Sequence, residues 1–141
     1  MIKNIIVLLT LSIALSGCLD NEPKIEGRWY TQAQVNQGQE IYTTNCAVCH
    51  GSAAQGTKEW NKPLPDGKYP PPPLNGTAHA WHHPLKGLKT SIREGGVKLG
   101  GSMPAFKDKL SEDQQEAVIA FFQNKWPPQI YNAWLERGGL R

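Results

Sequence analysis

Residues 43–51 read TTNCAVCHG, which places two thiols and an imidazole, Cys46, Cys49 and His50, within five consecutive positions of a chain that has three cysteines in all. A Cys-x-x-Cys pair admits three chemistries. As a dithiol redox motif it belongs beside a βαβ unit, and no strand pattern flanks it here. As half of a zinc site, Cys46 and Cys49 would join His79 and His83, giving C-x2-C followed by H-x3-H, residue types suited to tetrahedral zinc. The 29 residues from 50 to 78 that separate the halves exceed a zinc-finger spacing. Both readings leave His50 unused.

The third chemistry uses all three groups. C-x-x-C-H is the attachment signature of c-type haem: each thiol adds to a vinyl group as a thioether, and the adjacent imidazole lies beneath the iron. One helical turn supplies that geometry. Covalent capture also explains how two thiols persist in a chain that its N-terminus marks for export. Of the two methionines, Met1 is lost with the signal, so Met103, in the loop GGSMP (100–104), is the thioether available as the opposite axial ligand. The competing role of a lone methionine is to fill gaps in a core, but no helical pattern surrounds Met103.

The export signal is read from Lys3, the uncharged run IIVLLTLSIAL (5–15) and the small residues Ser16 and Gly17 before Cys18. A basic start, a short apolar stretch and a small-residue cut define a secretory signal, and eleven residues fall short of the roughly 20 needed to span a bilayer. Leu15-Ser16-Gly17-Cys18 resembles the lipobox of bacterial lipoproteins, so residues 1–17 are expected to be removed and Cys18 to be acylated. Two or more acyl chains suffice for stable anchoring. The expected location is the periplasmic side of a bacterial membrane, with the outer membrane favoured because Leu19 rather than Asp follows the cysteine. Removing residues 1–17, whose only charge is Lys3, lowers the net charge from +3 to +2. With no basic stripe either, nucleic acid is not an expected partner.

The 141 residues suit one domain with one core. Residues 18–30 are polar and read as a tether, with the domain proper over 31–141. Thr31 and Gln34 fit a capping box, and Val35, Gly38 and Tyr42 share a helical face that leads into Cys46. Gly38 within that helix implies close approach by another helix. Residues 52–73, including KPLPDGKYPPPP, suit neither helix interior nor central strand. So long a loop in a small domain makes sense where it wraps something other than protein. Leu85, Leu88 and Ile92 mark a short helix stopped by Gly95-Gly96. Ser111 and Gln114 cap the clearest helix, 111–126, whose apolar face is Ala117, Val118, Phe121 and Phe122. Pro127-Pro128 end it, and an extension from about 127 adds a final turn or two.

Cys46-Ala47-Val48-Cys49-His50, Pro72-Pro73-Leu74, Met103-Pro104-Ala105-Phe106 and the capped C-terminal helix occur here in an order that resembles class I c-type cytochromes, over roughly Thr31 to Trp126. The resemblance implies an all-α fold of three to five helices around one covalently bound haem c, with first and last helices crossing near Gly38 and Phe121. It implies thioethers at Cys46 and Cys49, axial ligation by His50 and Met103, and a Pro72 carbonyl that accepts the proton of His50 Nδ1. The function it implies is one-electron carriage between redox protein partners, or service as the electron-transfer subunit of a periplasmic oxidoreductase complex. No catalytic residue is implied. His79, His82 and His83 are read as hydrogen-bonding groups for the haem carboxylates, with a proton-linked potential as the sharper alternative. Lys86, Lys89, Arg93 and Lys98 are read as a solvated face around the ligand loop.

Overall fold

The computed structural model describes residues 22–141. Cys18 and the signal segment lie outside the described residues. Five α-helices follow in chain order: α1 (Gln32–Asn45), α2 (Ala47–His50), α3 (Leu85–Glu94), α4 (Glu112–Gln123) and α5 (Pro128–Glu136). Two 3₁₀ turns, His79–His82 and Val97–Leu99, sit in the long connections. Among the described residues, extended pairing is limited to two isolated bridges, Lys24 with Thr31 and Tyr69 with Gly101. The molecule is all-α, at the upper end of the expected helix count.

The helix starts are locally encoded. At α1 the Gln34 amide donates to Thr31 Oγ1 (3.1 Å) while the Thr31 amide donates to Gln34 Oε1 (2.9 Å). Ser111 and Gln114 repeat the arrangement at α4, at 3.3 and 2.9 Å. Losing such a cap costs about 1 kcal/mol. Glu112 and Asp113 in the first turn of α4 also complement the helix dipole.

Helices α1 and α4 form the frame. Val35, Gly38 and Tyr42 are the buried residues of α1, the face expected from their spacing. At Gly38 a Cβ would overlap the Ala117 carbonyl and lie 3.0 Å from the Phe121 Cβ, so the two helices meet backbone to backbone. Helix α4 is buried from Ala117 to Gln123 and packs against α1 and α3. Beneath it, Trp126, Tyr131 and Trp134 form an aromatic cluster with ring centroids 5.4–6.5 Å apart. The C-terminal segment is thus a 9-residue helix built into the core, longer than the turn or two expected. Its Trp134 Nε1 donates to the His83 carbonyl (2.8 Å), and Trp126 Nε1 donates to that of Leu74 (2.7 Å), fixing two loops to the helical frame.

Two expectations are corrected. The tether does not run to residue 30. Tyr30 is fully buried, its carbonyl accepts from the Ile25 amide (2.9 Å), and Trp29 Nε1 donates to Gln123 Oε1 (2.6 Å). The aromatic pair Trp29-Tyr30 finds partners in Gln123 of α4 and Tyr131 of α5, which outweigh the polarity of its neighbours in sequence. Lys89, read as part of a solvated face, instead pairs with Glu116 (2.7 Å) and Glu112 (3.1 Å) and so joins α3 to α4.

Replacement of Gly38 by alanine forces α1 and α4 apart. Overpacking of this kind costs about 1–3 kcal/mol. Gly38→Ala is therefore expected to lower the unfolding free energy by that amount, read as a lower urea midpoint with an unchanged m value, and an unchanged midpoint would contradict the backbone contact.

Candidate functional site

Cys46 ends α1 and begins α2. The His50 amide donates to the Cys46 carbonyl (2.9 Å), so α2 is one turn that carries the thiol and the imidazole four residues apart. Gly51, at φ 77°, stops the turn in a conformation that favours glycine. Tyr42, nearly inaccessible, donates its hydroxyl to the Gly51 carbonyl (3.0 Å) and anchors the turn to α1. Burial raises the Tyr42 pKa well above its ordinary value, with a smaller push from Cys46, so it remains a donor.

His50 is 7 % exposed, and its Nδ1 lies 2.9 Å from the Pro72 carbonyl oxygen. A carbonyl only accepts, so the proton belongs on Nδ1 and the Nε2 lone pair is left free. Burial pulls the His50 pKa below its ordinary value and so favours the neutral ring, and the Pro72 bond offsets this in part. The Pro72 carbonyl is held in turn by a close passage of backbone: Gly56 has φ 54°, and a Cβ there would overlap the Pro72–Pro73 peptide. The Gly56 amide donates to the His50 carbonyl (2.8 Å), and that of Thr57 to Pro71 (2.9 Å).

The other wall carries Met103. Its carbonyl accepts from the Gly96 amide (3.0 Å), while Phe106 donates to Ile92 of α3 (3.1 Å). A Cβ at Gly95, where φ is 74°, would stand 2.6 Å from the Met103 oxygen, so the loop folds tightly on the end of α3. The Met103 side chain is half-buried and packs against the core.

Between these walls lies a cavity of about 430 Å³, inside the roughly 300–1,000 Å³ range of small-molecule and cofactor sites. Cys46, Cys49, His50, Pro72 and Met103 all line it. Leu88 and Ile92 of α3, Phe106 and Phe122 of α4 supply apolar surface, and loop 52–73 contributes Trp60, Asn61, Tyr69 and Pro70 to Pro72. The long loop therefore does wrap a space. The Tyr69 amide donates to the Gly100 carbonyl (2.9 Å), joining that loop to the methionine loop.

His79 and His83 line the same cavity, but among the described residues no three His, Cys, Asp or Glu side chains come together as a metal-binding group. This overturns the zinc reading. Burial, with a smaller contribution from Cys49, pushes the Cys46 thiol up to about 11, which disfavours thiolate-dependent disulfide exchange. Cys49 is exposed and Cys46 half-buried, both as free thiols. Residue types alone do not reveal distance, and this is why the zinc set looked complete in sequence. Trp60, which stacks on His79, was missed because an isolated tryptophan in a Lys- and Pro-rich loop has no periodic signal.

Two thiols, a buried imidazole and a thioether around one apolar cavity in an all-α frame define a small c-type cytochrome domain. The family described as "Cytochrome C oxidase, cbb3-type, subunit III" matches residues 33–122, and the chain belongs to that family. Membership implies one covalently bound haem c, and the donors present fit it. Cytochrome c-551 of Bacillus subtilis (strain 168) is 31% identical over 120 residues, covering 82% of this chain and 84% of that protein. The cbb3-type cytochrome c oxidase subunit CcoP of Rhodobacter capsulatus is 32% identical over 106 residues, 70% of this chain and 31% of CcoP. Subunit FixP of Sinorhizobium medicae is 28% identical over 96 residues, 64% of this chain and 29% of FixP. The chain thus spans about a third of the length of the two oxidase subunits it matches. No solved structure matches it.

Gly56→Ala tests the hold on Pro72. Positive φ alone costs a non-glycine residue roughly 1–2 kcal/mol, and the overlap with the Pro72 peptide adds to it. The variant is expected to unfold at lower denaturant and to lose the downfield Nδ1 proton signal of His50 in NMR spectra. Retention of both would show that Gly56 does not position the carbonyl.

Proposed function

We propose that the protein is a lipid-anchored, periplasm-facing monohaem cytochrome that carries one electron at a time between redox proteins. The observation that carries this reading is the convergence of Cys46, Cys49, His50 and Met103 on one apolar cavity. When bound, haem supplies the one-electron chemistry of its iron, with a potential set by axial ligands, hydrogen bonding and burial. Cys46 and Cys49 would hold it as thioethers. His50 would ligate through Nε2, with the Pro72 carbonyl fixing its tautomer and raising its basicity. Met103 would hold the iron through its thioether sulfur and favour the reduced state. With His50 and Met103 both holding the iron, the chain would act as a carrier with no catalytic residue of its own.

Cys18 would carry the lipid. Supporting this, the Leu15-to-Cys18 stretch has the lipobox order. Leu19, rather than Asp, after Cys18 favours anchorage in the outer membrane. A second reading, electron-transfer subunit of an oxidase complex, is favoured by the likeness to CcoP and FixP, while the near-complete coverage of cytochrome c-551 favours the free-standing carrier.

Protein produced in a host that attaches haem c should retain a haem stain on a denaturing gel, and Cys46→Ser with Cys49→Ser should abolish it. Colourless matured protein would refute the reading. Met103→Ala is expected to remove the methionine-to-iron charge-transfer band of the oxidised form, and a surviving band would exclude Met103 as ligand. Cys18→Ser should move the protein from the membrane to the soluble fraction. Retention on the membrane as part of a detergent-stable oxidase would support the subunit role instead.

A further inference from the structure

The segment 22–31, where the chain enters the domain, is fastened far more firmly than a polar leader requires. Glu22 Oε2 accepts from the Ala33 amide (2.9 Å) in the first turn of α1, where a carboxylate also meets the positive end of the helix dipole. Lys24 pairs with Thr31 in an isolated bridge. Gly27, at φ 69°, turns the chain back, so that the Ile25 amide reaches the Tyr30 carbonyl (2.9 Å) and the Arg28 amide reaches that of Ile25 (2.9 Å).

The side chains of the turn then point into the domain. Trp29 Nε1 donates to Gln123 Oε1 of α4 (2.6 Å), the Trp29 amide donates to the Tyr131 hydroxyl of α5 (3.1 Å), and the Arg28 guanidinium carbon stands 3.9 Å from the centre of the Tyr131 ring. Tyr30, fully buried, meets Trp29 and Tyr131 edge to face at 5.3 and 6.3 Å. None of residues 22–31 lines the cavity, so the site does not account for this fastening.

Its consequence is one of length. Glu22 follows Cys18 by four positions and Thr31 follows it by thirteen. A fully extended chain spans at most about 3.5 Å per residue, so docking of the segment cuts the greatest reach of the tether from about 45 Å to about 14 Å. A compact domain of about 120 residues is roughly 35 Å across, so the shortened tether is less than half the width of what it holds. Such a domain pivots at the bilayer but does not lift clear of it.

We propose that residues 22–31 are a clasp that shortens the lipid tether and holds the domain against the membrane surface, with the start of α1 nearest the lipid. The proposal rests on the reading of Cys18 as the lipid-bearing residue. The redox partners served by a domain held in this way are those whose own redox groups stand at the same bilayer surface, where a short tether keeps the effective concentration high.

The test uses matured, lipidated protein bound to phosphatidylcholine vesicles that carry a headgroup-fluorescent lipid, whose emission haem quenches with a steep dependence on distance. Protein that does not stay on the vesicles condemns the anchor reading, and the clasp is then judged from hydrogen exchange alone. On vesicles the wild type is expected to quench strongly. A flexible insert of about twelve Gly and Ser residues between Asn21 and Glu22 adds roughly 20 Å to the mean span and should weaken the quenching. Trp29→Ala combined with Tyr30→Ala should weaken it in the same way, with the haem absorption spectrum unchanged. In the wild type the amides of Ile25 and Trp29 should exchange with solvent as slowly as those of α1, a measurement that stands even where the double variant does not fold. Wild-type quenching no stronger than that of the insertion variant, full quenching in a folded double variant, or fast exchange at both amides would each overturn the clasp.

Discussion

The contact between Gly38 and the Ala117 carbonyl sets the distance on which the rest of the site depends. With no side chain between them, α1 and α4 approach until main chain meets main chain, and towards its C-terminal end α1 packs Tyr42 against Phe121 of α4, with ring centroids 4.8 Å apart. That end is where Cys46 begins the attachment turn. One missing methyl group therefore places the thiols and His50 over the cavity. Packing, rather than helix propensity, makes the decision, since glycine is among the poorest interior helix residues and is retained here for what it lets approach.

The cavity walls are irregular, and their order comes from three kinds of restraint. Glycines at positive φ, Gly51, Gly56 and Gly95, let backbone segments pass close enough to hold a neighbouring carbonyl or loop. Prolines limit the conformations of loop 52–73 before any contact forms. Indole N–H groups from the C-terminal part of the chain then bind the loop carbonyls of Leu74 and His83. Together these restraints let long loops serve as walls, a role that helices usually fill.

What the sequence revealed was mostly local. Capping boxes, glycine and proline stops and the spacing of Val35, Gly38 and Tyr42 act within a turn or two, and they placed α1, α3 and α4 closely. The contact of His50 with Pro72 spans 22 residues; it was legible only because the Pro72-to-Leu74 pattern resembles that of a known family. Contacts without such a pattern were invisible. Trp29 and Tyr30 look like part of a polar leader until α4 and α5 supply partners about a hundred residues away. Lys89 looks solvated until α4 brings Glu112 and Glu116 across. Composition describes a residue's surroundings in sequence, and these side chains were decided by surroundings in space.

The two indole hydrogen bonds have a consequence for motion. Trp126 and Trp134 pack edge to face at 6.0 Å, yet one holds the peptide after Leu74 and the other that of His83. Both flanks of the connecting segment are thus fastened to a single aromatic cluster at the far end of the chain. Local opening of this region cannot release one flank without disturbing the anchor of the other, so their amides should exchange with solvent as one cooperative unit whose protection follows the docking of α5.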